Sequence, residues 1–277
     1  MTLPPLPFPL LMTPHLHAIA RTYDLAADHF DRLPFWHEFG ARTVAALHLA
    51  PGQHVVDLCC GSGASALPAA RAVGPSGRVT GVDVSQGLIA VARARAAQAG
   101  LSQADFECAD VTTYNRPPSS VDAVVSVFGL FFIENMAALL HRAWQWLTPG
   151  GALAITTWGE QVLAPGEDWF WDAARREQPG IATAGHAARL DSPDKLRQVF
   201  ADAGLPAPAI TPDRWHMPLA TPDAFWPVIL GTSNRRTLEQ LPPDARERVR
   251  AEVTARLAAH HVTALTLDVL YAVARRP

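Results

Sequence analysis

"VVDLCCGSGASALPAA", residues 55–70, decides how this chain is read. A run of β-branched residues ends in an acid, Asp57, a turn of small residues follows, and the next stretch reads as helix. Such a turn presents backbone N–H groups at the positive end of a helix, a general site for anions. A dinucleotide fold would set G-x-G-x-x-G here against a pyrophosphate, with no acid needed in the turn. This stretch departs from that pattern. Glycines at 61 and 63 would require a third at 66, which is Ala66, and Asp57 stands four residues before Gly61. A carboxylate beside a pyrophosphate repels it, whereas an acid can help hold the ammonium of a sulfonium amino acid. The turn therefore favours S-adenosylmethionine over NAD, and no Tyr/Lys catalytic pair of an oxidoreductase is recognisable.

Outward from this turn, short apolar strands alternate with helices. The strand candidates are 54–59, 78–84, 105–110, 122–128 and 152–158, with helices at about 64–73, 86–99 and 134–147 between them. Continuous β-branched runs separated by amphipathic helices predict a parallel sheet covered on both faces, a doubly wound, Rossmann-like α/β fold. Helical patterning fills residues 14–49, with Pro34 at a helix start. Residues 159–190 are less regular and rich in Trp, Pro and Gly. Ser192 and Pro193 then open a helix, 206–219 reads as a strand, two helices follow at about 222–236 and 243–260, and 264–276 closes as a long strand. The late strands predict an antiparallel C-terminal edge strand, and the helices between them a cap. Three parts result: a leader and N-terminal helices over the cofactor site (1–49), a cofactor-binding core (50–158), and a cap or substrate segment carrying the last core strands (159–277).

Composition narrows the function. The chain has 277 residues, 49% hydrophobic and 18% charged, with a formal net charge of −3. Slight acidity without a basic patch argues against nucleic acid. No apolar stretch approaches the roughly 18 residues of a membrane span, and the proline-broken start without basic residues reads as an extended leader, not a signal peptide. Three cysteines, two of them adjacent, lack metal-type spacing and suit a reduced cytoplasmic protein. The single lysine, Lys195, leaves little room for Schiff-base chemistry. No metal is expected, and a homodimer stays open.

"VVDLCCGSG" resembles motif I of the class I S-adenosylmethionine-dependent methyltransferases, D-x-G-x-G-x-G. "VTGVDVSQGLIAVAR" (79–93), "FECADVTTY" (106–114) and residues 121–158 are similar to the family's second-strand, third-strand and fourth-to-fifth-strand elements, in order and at normal spacing. The tail and "RTYDLAADHFDRL" (21–33) resemble the ubiquinone/menaquinone-biosynthesis-like branch, which methylates small molecules. The resemblance implies cofactor contacts at Tyr23, Asp57, Gly61, Ser62, Gly63, Asp83, Val84, Ala109, Asp110, Val111, Ser126 and Phe128, with Tyr23 closing over the cofactor and Asp83 taking the ribose hydroxyls. Cys59 stands at the first glycine of the motif. The expectation is that it belongs to the strand as a small buried hydrophobe, so that no positive φ is needed there.

At the end of the fourth strand, Ser126-Val127-Phe128-Gly129 replaces the Asn/Asp-Pro-Pro-Tyr/Phe of adenine and amide N-methyltransferases. The acceptor pocket is expected to be apolar and aromatic, with Phe35, Trp36, Phe131, Phe132, Trp158, Trp169 and Trp226 as its walls and Trp171 as a further candidate. His37 and His186 are the candidate general bases. The resulting expectation is methyl transfer to a hydrophobic or aromatic small molecule, at oxygen ahead of carbon or nitrogen. The competing reading is a non-methylating protein that uses the same cofactor structurally or to catalyse a rearrangement.

Overall fold

The computed structural model describes residues 13–183 and 185–277, without the side chain of His186; the leader over 1–12 lies outside the described residues. Two helices, α1 (Pro14–Phe30) and α2 (Pro34–Leu47), precede the sheet. The chain then runs β1 (His54–Leu58), α3 (Ala66–Val73), β2 (Arg78–Asp83), α4 (Gln86–Gln98), β3 (Ala104–Cys108), β4 (Val121–Val127), α5 (Met136–Trp146) and β5 (Leu147–Ala164). It continues through α6 (Gly166–Glu177), α7 (Pro193–Asp202), β6 (Ala209–Pro218), α8 (Phe225–Leu230), α9 (Asn234–Glu239), α10 (Pro243–Ala259) and β7 (Ala264–Arg275).

The seven strands form one sheet in the order β3-β2-β1-β4-β5-β7-β6. β1 to β5 are parallel, and β7 runs antiparallel to both β5 and the outermost strand β6. Val55 and Val56 of β1 are fully buried, as a strand covered on both faces requires. Strand order reverses between β1 and β4, and the crevice beyond their carboxyl ends is where such sheets bind ligands.

Local chemistry starts the helices where the sequence marks them. Ser192 accepts from the Lys195 N–H with Pro193 at the first turn, and Pro34 opens α2. Pro68 sits in the first turn of α3, where its missing N–H costs no helical bond.

The sequence reading misses in two places. Residues 159–190 are not irregular throughout: β5 continues to Ala164 through bulged pairing with β7, and α6 follows. Bulges break the alternation that marks a strand, so the extension carries no periodic signal. The single helix expected over 222–236 is instead a short 3₁₀ turn (Pro222–Ala224) followed by α8 and α9, interrupted at Gly231. A Cβ at Gly231 would lie 2.8 Å from Leu33 Cδ1, so the break lets this segment close onto the α1–α2 junction.

Candidate functional site

Two cavities meet above the carboxyl ends of β1 and β4. The first, about 800 Å³, is walled by Cys59 to Gly61, Ala64 and Ser65 after β1, by Asp83 and Val84 after β2, and by Ala109 to Val111 after β3. Phe128 and Gly129 after β4 complete its floor, and Tyr23 of α1 covers it.

Asp83 organises this cavity. It is 8% exposed, and its two carboxylate oxygens each accept one backbone N–H, from Gly61 and Ser85, both at 2.8 Å. Burial raises its pKa, and the N–H donors to its carboxylate oppose that rise. Asp57 is 1% exposed and lies behind Ser65, whose hydroxyl donates to Oδ2 at 2.7 Å. Asp57 Oδ1 is buried without a hydrogen-bond partner, and desolvation pushes the group up to about 7. The glycine turn spends more of its amides internally than the sequence suggests. The Gly61 N–H goes to Asp83 and the Gly63 N–H to the Cys60 carbonyl at 2.9 Å.

Cys59 corrects an expectation. It lies outside β1 at φ +58°, half-buried against the first cavity. Phe128, just past β4, takes the same left-handed conformation at φ +54°. Both residues that end the strands at the switch point are thus held in a region costly for non-glycine residues. Gly129 makes this arrangement fit, because a Cβ there would lie 2.2 Å from Cys59 Cβ.

α1 is fastened over the cavity by Asp24, whose Oδ1 accepts from the Ser85 hydroxyl (2.6 Å) and the Gly87 N–H (2.9 Å). Arg95 of α4 donates to Asp31 at the end of α1 (2.8 Å) and to the Ser62 carbonyl in the turn (3.1 Å). His37 joins this clamp, with Nε2 against the Asp31 carbonyl and Nδ1 against Arg95.

The second cavity, about 1050 Å³, adjoins the first through the shared walls Tyr23, Trp36, Phe128 and Phe132. Phe128 stacks on Trp158 with centroids 3.8 Å apart, and Phe35 and Trp36 meet Trp158 at 5.8 Å. The indole N–H of Trp36, which lines both cavities, is buried without a partner. Opposite this aromatic wall stand the β5 extension, the start of α6, and Thr232 to Asn234. Arg189 holds the neighbouring turn Gly185–Arg189 in place by donating to the Phe131 and Ile133 carbonyls at 2.9 and 2.8 Å.

Among the cofactor candidates, Tyr23, Gly61, Asp83, Val84, Ala109, Asp110, Val111 and Phe128 line the first cavity; Asp57, Ser62, Gly63 and Ser126 do not. Phe35, Trp36, Phe131, Phe132, Trp158 and Trp171 line the second. Trp169 instead packs under Arg256 and beside His260, and Trp226 lies under Arg250. His37 lines neither cavity, and the His186 side chain is outside the described structure. Sequence reasoning missed Glu167 and Asn234, two buried polar residues of the second cavity; the only sequence signal was a Glu-Asp pair opening a helix. Among the described residues no cluster of side chains is placed to hold a metal ion.

A doubly wound sheet with a lidded cavity at its switch point and an acid closing each of its first two strands defines a nucleoside-cofactor-binding fold. Residues 55–151 match a family described as a methyltransferase domain. The chain is 30% identical over 187 residues to a demethylmenaquinone methyltransferase of Listeria welshimeri, a match covering 59% of this chain and 74% of that one. It is 32% identical over 141 residues to an aklanonic acid methyltransferase of a Streptomyces species, covering 50% of this chain and 64%, just under two thirds, of the relative. The fold superposes on a putative methyltransferase of Bacillus halodurans with a TM-score of 0.58 at 16% identity, over 86% of this chain and 98% of that one. The chain belongs to the class I S-adenosylmethionine-dependent methyltransferases, in their quinone-biosynthesis-like branch, and its cofactor is S-adenosylmethionine. No described helix is long and apolar enough to cross a membrane.

Proposed function

We propose that the protein methylates a hydroxyl oxygen of a small, neutral aromatic molecule seated in the second cavity. The observation that carries this reading is the junction of the two cavities: Tyr23, Trp36, Phe128 and Phe132 face both, so a donor in one and a flat acceptor in the other would share walls.

Residues of the first cavity fit the cofactor. Asp83 keeps acceptor capacity for the ribose hydroxyls beyond the Gly61 and Ser85 N–H groups it holds. Asp57 Oδ1 is an unmatched buried acceptor behind the turn, suited to draw an ammonium toward Ser65. Leu88, Val111 and Ile133 supply apolar wall for the base, with Asp110 beside them. When bound, S-adenosylmethionine supplies an activated methyl group for in-line displacement. The chain's share is to align the acceptor at about 3–3.5 Å and keep water out. Tyr23 closes the junction, with Phe30 and Phe132 edge-on at 5.8 Å.

Charge favours an uncharged acceptor. Among the described lining residues of the second cavity there is no Arg, Lys or His, while Glu160 and Asp168 are present. A carboxylate acceptor would meet repulsion without a counter-charge; a phenol or enol would not. The printed name of one relative, a demethylmenaquinone methyltransferase, agrees with a flat, uncharged acceptor. Cysteines free among the described residues suit a reducing cytoplasmic setting.

The deciding experiment incubates the protein with methyl-labelled S-adenosylmethionine and a panel of hydroxylated naphthalenes and anthraquinones. Label on acceptor oxygen is the expected result. Label on ring carbon would reassign the accepting atom, and cofactor binding without transfer to any acceptor would favour the non-methylating reading.

A further inference from the structure

We propose that Glu167 is the group that receives the acceptor's hydroxyl in the second cavity and takes its proton as the methyl group is transferred; this rests on the reading of the two cavities given above. Glu167 opens α6 and is 9% exposed, although it lines a cavity. A buried carboxyl needs partners, and the partners here are asymmetric. Asn234 Nδ2 donates to Glu167 Oε1 at 2.6 Å, and Asn234 Oδ1 accepts from the Trp171 indole N–H at 2.9 Å. The indole fixes which way the amide faces, and the amide fixes one carboxyl oxygen. Oε2 has no hydrogen bond among the described residues, and it is not among the fully enclosed atoms left without a partner. An oriented carboxyl with one oxygen tied back and the other facing a cavity is the geometry of a proton acceptor.

The other carboxyls around this cavity are unlike it. Glu160 of the β5 extension and Asp168 of α6 are exposed, and Asp191 pairs with Lys195 at 2.7 Å. From α1, Tyr23 faces the cavity as a phenol whose pKa burial raises far above neutrality, so it stays protonated. Desolvation, with a contribution from Asp168, pushes Glu167 up to about 8, and the Asn234 hydrogen bond opposes that. A base titrating near working pH accepts protons better than an exposed carboxylate would.

The step balances. A lone pair of the acceptor oxygen forms the O–C bond, the C–S pair returns to sulfur, and the hydroxyl proton passes to Glu167 Oε2. The sulfonium charge and the carboxylate charge vanish together, so no net charge is created in a cavity of aromatic walls.

Two measurements test this. In the first, methyl transfer to 1-naphthol is followed against pH. The wild-type kcat should rise through about pH 8; in Glu167→Gln it should fall roughly 100-fold or more and lose that rise, with S-adenosylhomocysteine binding unchanged. Transfer by Glu167→Gln with the pH limb intact would overturn the proposal. In the second, tryptophan fluorescence reads binding of 1-naphthol and 1-methoxynaphthalene to the S-adenosylhomocysteine complex. About tenfold preference for naphthol is expected in the wild type, as one hydrogen bond to a charged group would give, and none in Glu167→Leu. A preference that survives in Glu167→Leu, or is absent from the wild type, would overturn it. Failure of the methyl-transfer reading itself would appear separately, as a wild type that labels no acceptor, and the binding arm would still decide what Glu167 receives.

Discussion

The two adjoining cavities are built in opposite ways. The first takes its walls at the sheet from the ends of successive strands: Cys59 to Gly61, Ala64 and Ser65 after β1, Asp83 at the end of β2, Asp110 after β3 and Phe128 after β4. The second gathers Tyr23 and Trp36 from α1 and α2, Phe131 from a 3₁₀ turn, Trp158 to Ala164 from β5, Glu167 from α6 and Asn234 from α9. One follows from sheet topology. The other follows from how distant segments pack above that sheet, so its composition can change without disturbing the walls of the first.

The sharpest way to break this contrast is Asp83→Ala. The side chain holds both Gly61 and Ser85, so its removal unlocks the turn as well as removing the acceptor proposed for the ribose hydroxyls. Calorimetry should show S-adenosylhomocysteine binding weakened by about 3 kcal/mol, roughly 100-fold; an unchanged dissociation constant would remove the ribose assignment.

Strain at the switch point gives the next effect. Gly129→Ala should destabilise the fold by about 2 kcal/mol in urea unfolding, because its Cβ would collide with Cys59 Cβ. Cys59→Gly relieves the left-handed residue and vacates the space, so the double variant should recover most of that loss. Simple additivity would show the two positions to be uncoupled.

Asp57 tests the electrostatic half. Its carboxyl is ordinary when unfolded and pushed up to about 7 when folded, so between about pH 4 and 7 the folded state binds more protons. Stability falls as pH rises through that window and then stays low. Asp57→Asn abolishes the fall, and at pH 8 it should be about 1–2 kcal/mol more stable than wild type while binding S-adenosylhomocysteine less tightly. A less stable variant at pH 8 would contradict the unpaired Oδ1.

The smallest effects mark the limits of the second cavity. Trp226→Ala and His37→Ala should each leave the acceptor KM within about twofold, since neither lines it. A tenfold rise in either would extend the cavity beyond the walls described.

The contrast also explains what could be read in advance. Asp83, Asp110 and Gly61 are visible because each lies at or near the end of a strand candidate, in segments that resemble the family's strand motifs. Glu167 is not, because its neighbours Asn234 and Trp171 are 67 and 63 residues away from it and from Asn234, respectively. An aromatic residue carries no mark of which helix face it occupies, so the sequence does not separate Trp169 and Trp226 from the residues that line the pocket. Trp171, two positions from Trp169, does reach the cavity, through a turn of helix about 200° around.

The sequence by itself determined the doubly wound sheet, the cofactor class and the strand ends that line the first cavity, because hydrophobic period and local turn chemistry act over a few residues. Only the tertiary structure decided that Cys59 and Phe128 turn left-handed, that Asp57 stands behind Ser65, and that Glu167 is buried with one oxygen tied. Those outcomes depend on desolvation and packing between segments far apart in the chain, and no local pattern of residues records them.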